Sequence, residues 1–155
     1  MPDKKEKIDH KRNLALNTVD NAELALSTAR ATLSKLVPGR AWVGTLPKGE
    51  FEIKGALLLE NKPVVILKFS PEDGSLLPRG LHALGAGRAD LLPVVESRLS
   101  GICAELDVLE GAEFRAPESC WALPLVHRGR IVSHIKVSGD GTAVLADKKA
   151  LEELA

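Results

Sequence analysis

Phe51-Glu52-Ile53-Lys54-Gly55-Ala56-Leu57-Leu58-Leu59 runs into Glu60-Asn61-Lys62 and then into Pro63-Val64-Val65-Ile66-Leu67-Lys68-Phe69-Ser70. The first segment begins by alternating apolar Phe51 and Ile53 with charged Glu52 and Lys54, then becomes wholly apolar. The second is rich in β-branched residues, which suit a pleated, half-buried surface. A polar turn between two such runs reads as a β-hairpin. Pro71-Glu72-Asp73-Gly74-Ser75 closes it with turn formers. This hairpin decides the fold class, because its strand-length apolar runs need a sheet and something to cover it.

Upstream the period is different. Ala15, Val19, Ala22, Leu26, Ala29, Leu33 and Leu36 follow one another at spacings of four and three. That is heptad register, the pattern of a helix with an apolar seam. Pro38 and Gly39 are expected to end the helix. The seam can pack on the chain's own sheet, or pair with a second copy through Val19, Leu26, Leu33 and Leu36. Residues 1–38 therefore read as a helical, possible dimerisation arm and 39–155 as the α+β domain. Between the arm and the hairpin, Ala41 to Leu46 reads as a short strand.

Downstream, Asp90 to Glu110 reads as a second helix, with Asp90 as N-cap and Gly111 as the stop. Its stripe is Leu92, Val95, Leu99, Ile102, Leu106 and Leu109. Three strands are predicted over Ala112–Ala116, Trp121–His127 and Arg130–Val137, and a fourth over Thr142–Ala146. Asp147 is placed to cap a short last helix ending at Leu154. The predicted fold is α+β: an antiparallel sheet of five or six strands, a long N-terminal helix, one central helix and a short C-terminal helix.

Trp121-Ala122-Leu123-Pro124-Leu125-Val126-His127-Arg128-Gly129-Arg130-Ile131-Val132 is an apolar strand, a basic-glycine turn and a second apolar strand. It resembles the hairpin of GAF domains. The element order as a whole resembles the profilin-like and sensor-type domains, notably the roadblock, GAF and PAS folds. That resemblance implies binding of small ligands, binding of partner proteins or dimerisation, since most such domains are not catalysts.

Composition excludes several functions. The 155 residues carry 21 Lys plus Arg and 21 Asp plus Glu, so the formal net charge is zero. No global field then draws the chain to nucleic acid or an anionic membrane. Only 3% of residues are aromatic, too few for a base-stacking platform. No apolar run reaches the ~18 residues of a membrane span. Met1 to Arg12 is rich in charge, with Ile8 the only large apolar residue between Met1 and Leu14, which predicts no secretory leader. Cys103 and Cys120 are too few for a disulfide framework, so a cytoplasmic protein with reduced thiols is expected.

Candidate chemistry concentrates in Arg79 to Arg88. Gly80, Gly85 and Gly87 permit close backbone approach, while Arg79, His82 and Arg88 supply positive charge, the ingredients of an anion site. The spacing fits no phosphate-loop motif, and Asp90 opposes an anion at the following helix. The metal or haem alternative rests on His134 or Cys120, but no ligand pair has zinc spacing. His127 and His134 fall ~13 Å apart along the hairpin at ~3.4 Å per residue, too far to share a metal. There is no nucleophile elbow and no tyrosine.

The expectation is a small regulatory or interaction module, homodimeric, sensor-like and non-catalytic. The alternatives are an anionic-ligand binder or enzyme using residues 79–88, and a haem or metal binder. Sedimentation at high micromolar concentration tests the helical dimer: a pair is expected if the seam is intermolecular, and a strict monomer excludes it.

Overall fold

Glu60 and Asn61 both take positive φ, 51° and 67°, the twist that a two-residue hairpin turn requires. They join β2 (Phe51–Leu59) to β3 (Lys62–Phe69) in antiparallel register, with Ala56 opposite Ile66. A second hairpin repeats the device. Arg128 and Gly129, at φ 50° and 81°, join β6 (Cys120–His127) to β7 (Arg130–Ser138). The computed structural model describes residues 4–46, 49–81, 85 and 88–155, with residues 4–18 described by backbone alone.

Each hairpin grows outward. β1 (Val37–Thr45) adds to β2, giving a three-stranded sheet. β4 (Leu106–Val108) and β5 (Glu113–Arg115) share the outer edge of β6, one at each end, giving a four-stranded sheet. The helices are α1 (Lys4–Leu33), α2 (Leu92–Ala104) and α3 (Lys148–Leu154). Among the described residues no helix is long and apolar enough to cross a membrane.

One apolar cluster runs across the same face of both sheets. It joins Ile53, Leu57, Leu67 and Phe69 of the first sheet to Trp121, Leu123, Ile135 and Val137 of the second. Val95, Leu99 and Ile102 of α2 belong to it, as do Ala25 and Ala29 of α1. Small residues let these helices sit close. A Cβ on Gly55 would meet Leu99 Cδ2 at 2.9 Å, and one on Gly141 would meet the α1 backbone at Asn21 O, 2.8 Å away. The other face is covered in part by α3, which Asp147 caps by accepting from the Ala150 N–H at 2.9 Å.

The strands depart from the expected single sheet of five or six. Two extended stretches lie between β3 and β7. Leu77 N donates to Lys68 O and Arg79 N to Ile131 O, while Leu145 N donates to Lys136 O and Asp147 N to Pro63 O. They occupy edge groups that a continuous ladder would have used. Thr142–Ala146 thus forms no full strand; one bridge, Val137 to Val144, is its share of the sheet. The second helix is also shorter than expected. It ends at Ala104, and Leu106 and Val108 change to a period of two and bury themselves as β4. Asp90 caps nothing; the α2 N-cap is Leu91, and Asp90 pairs with Arg88. Pro38 and Gly39 do not stop a helix but sit in β1, an edge strand where a missing N–H is tolerated.

Gly141→Ala combines a φ of +80° with a clash against helix backbone. It is expected to lower stability by ~2–4 kcal/mol. Gly129→Ala, at φ +81° but facing open space, is expected to cost only about 1 kcal/mol. Urea unfolding of the two variants measures the difference.

Candidate functional site

Where β3 and β7 part, a cavity of 420 Å³ opens, within the roughly 300–1,000 Å³ of small-molecule sites. Its apolar walls are Trp42, Ile66, Leu77, Pro78, Leu81 and Val132. Its charged groups are Glu52, Lys54, Lys68, Arg79, Asp147 and Lys149. Ser133 and His134 of β7 complete the lining with Gly80 and Ala150. The register explains the gathering: Trp42 lies opposite Lys54, Gly44 opposite Glu52 and Lys54 opposite Lys68. These positions share the sheet face away from α1 and α2.

Glu52 and Lys54 are 6% and 5% exposed, although their alternation with Phe51 and Ile53 reads as a solvated face. A charge buried like this needs partners. Lys54 Nζ lies 3.3 Å from Glu52 Oε1 and 3.1 Å from Glu153 Oε1. Lys68 Nζ lies 3.4 Å from Glu52 Oε2. Trp42 Nε1 donates to Glu153 Oε2. Burial works to raise the Glu153 carboxyl, but the hydrogen bonds from Trp42 and Lys54 prevail and hold it below its ordinary value. The network fastens α3 across the sheet and forms one wall of the cavity.

His134 projects toward the same space from β7. Burial first, then the positive charges of Arg79, Arg115 and Lys136, push its pKa down to about 4 against a small opposing effect of Asp147. The imidazole is therefore neutral at pH 7. Ser133 beside it gives its hydroxyl to Ile66 O at 2.7 Å, so the serine is committed to the backbone of β3.

The Arg79–Arg88 loop divides. Arg79 and Gly80 line the cavity. Gly85 bridges to Phe51 at the start of β2. Arg88 is turned elsewhere, gripping Asp90 at 2.7 Å and Glu72 O at 3.2 Å. His82 and Gly87 lie outside the described residues. Arg79 enters no ion pair among the described residues.

The remaining candidates are dispersed. Cys120 is fully buried, and burial raises its thiol. Cys103, half-buried, donates to Leu36 O and lines a smaller hollow of 320 Å³ between α1, β1 and α2. His127 is held by Glu105 at 3.1 Å. Among the described residues no three His, Cys, Asp or Glu side chains gather as a metal-binding group. Of the helical seam, Leu36 is buried in the core and Leu26 and Leu33 pack against it, while Val19 is 65% exposed. What sequence reasoning missed was Trp42, Glu52, Lys54 and Glu153. Two charges in an otherwise apolar strand were the available signal. No protein-family model, curated protein or solved structure matches the chain.

The depressed pKa of His134 gives a signed pH dependence. An unfolded histidine titrates near 6.5 and the folded one near 4, so between those values the unfolded chain binds more protons. Stability from this group is complete above pH 6.5 and falls as the pH drops toward 4. With solvent screening discounted, the loss is expected to be on the order of 1–2 kcal/mol. Urea midpoints across this range for wild type and His134→Gln check it, since the variant should show the shallower slope.

Proposed function

We propose that this chain is a small-ligand-binding module of the sensor kind, taking an anionic organic ligand in the cleft between its two sheets. The observation that carries the reading is the cavity itself, with an arginine at its rim that no carboxylate among the described residues holds. A guanidinium offers paired donors suited to a carboxylate or phosphate. The buried ion network supports the reading too, because it pairs the charges of one cavity wall without occupying Arg79. Binding suffices as a role: Ser133 spends its hydroxyl on a backbone carbonyl and not on the ring of His134.

Self-association fits the geometry less well than ligand binding. Three of the four seam residues, Leu26, Leu33 and Leu36, are used within the chain. The anion site centres on Arg79 and Gly80 and leaves out Arg88, whose guanidinium is paired. A cytoplasmic setting goes with the reading, since both cysteines are free thiols.

A thermal-unfolding panel of phosphates, nucleotides and carboxylates tests this. A ligand at ~100 times its Kd should add ~2.7 kcal/mol of apparent stability. The shift should vanish in Arg79→Ala and persist in Arg88→Ala. No shift with any anion, or an equal shift in Arg79→Ala, overturns the proposal.

A further inference from the structure

If the cleft takes an anion, the number of uncommitted cations decides which kind. Four cations line it: Lys54, Lys68, Arg79 and Lys149. Lys54 is shared between Glu52 and Glu153, Lys68 is spent on Glu52 at 3.4 Å, and Lys149 lies 4.0 Å from Glu153. Both oxygens of Glu52 thereby face a lysine. Asp147 is engaged as the cap of α3. His134 brings no positive charge at neutral pH, its pKa being held near 4. Against these four cations stand the carboxylates of Glu52, Glu153 and Asp147, which leaves one net positive charge, and Arg79 is the one of the four that enters no ion pair among the described residues.

One guanidinium matches one planar anion through two parallel hydrogen bonds. A polyphosphate would need several free cations to offset its desolvation, and the cleft does not offer them. The remaining surface is apolar: the Trp42 ring, Ile66, Leu77, Pro78, Leu81 and Val132. Leu81 is 53% exposed at the mouth, an apolar side chain left in water that a bound apolar group would cover.

Resting on the reading of the cleft as an anion site, we infer that its ligand is a monocarboxylic acid with an apolar body. The carboxylate sits on the fork of Arg79 and the hydrocarbon lies between β3 and β7, against Ile66 and Val132. Trp42 is a built-in reporter, because it lines the cleft while Trp121 is sealed in the core.

The test titrates octanoate, octanol and inorganic pyrophosphate into the full chain, with calorimetry for affinity and tryptophan fluorescence for location. Octanoate should bind one per chain and change the emission, and Trp42→Phe should remove that change. Octanol should bind at least about tenfold more weakly, and Arg79→Gln should weaken octanoate about tenfold without affecting octanol. Pyrophosphate should bind more weakly than octanoate. Tighter, Arg79-dependent binding of pyrophosphate would overturn the carboxylic-acid assignment and leave the anion site standing. Equal affinity for octanol and octanoate, indifferent to Arg79→Gln, would overturn both. Several octanoates per chain, or no binding of any probe, also overturns the assignment.

Discussion

The hydroxyl of Ser133, donated to the carbonyl of Ile66, is where the two sheets meet. Every strand edge carries backbone donors and acceptors that must be paired or wetted. β3 and β7 do not pair with each other as a ladder. One side-chain hydrogen bond crosses directly from β7 to β3, and the stretches around Leu77 and Leu145 take up edge groups nearby. The sheets share a core on the face that α1 and α2 cover, yet they part on the other. The cavity, the placement of α3 and the position of Arg79 all follow from that incomplete junction. Two sheets joined edge to edge by a full ladder would have no such opening.

Much of the architecture was legible because it is local. The 51–69 hairpin announces itself by its apolar runs and polar turn, and Arg128-Gly129 does the same for the second. Asp147 as a helix cap depends on residues three apart. What was illegible depends on residues far apart. Glu52 and Lys54 follow a pattern that puts them in water, and only the return of α3 shuts them in. Glu153, which holds Lys54, is 99 residues away in the chain. Leu106 shows the other kind of failure. It sits at helix spacing from Ile102 and at strand spacing from Val108, and the free edge of β6 settled the competition.

The candidate loop shows the limit in miniature. Its glycines and arginines look equivalent in sequence, because composition does not say which way a side chain turns. Arg88 finds Asp90 two residues on, a partner that proximity alone provides. Arg79 has no carboxylate so near in sequence, and the backbone bond from its N–H to Ile131 sets it beside β7. Its role was therefore decided by a strand some fifty residues downstream.

The irregular start of β1 matters beyond this chain's own packing. An edge strand with a full row of unpaired amides is a template on which another chain's strand can dock, the first step of aggregation. Here Pro38 presents no amide, the register slips between Pro38 and Ala41, and the Ala41 N–H is capped by Glu96 of α2. Arg40 adds an exposed charge within the same irregularity. A β-rich protein with few aromatics to shape its core thus leaves that end of its outermost strand a poor seed for sheet-to-sheet growth.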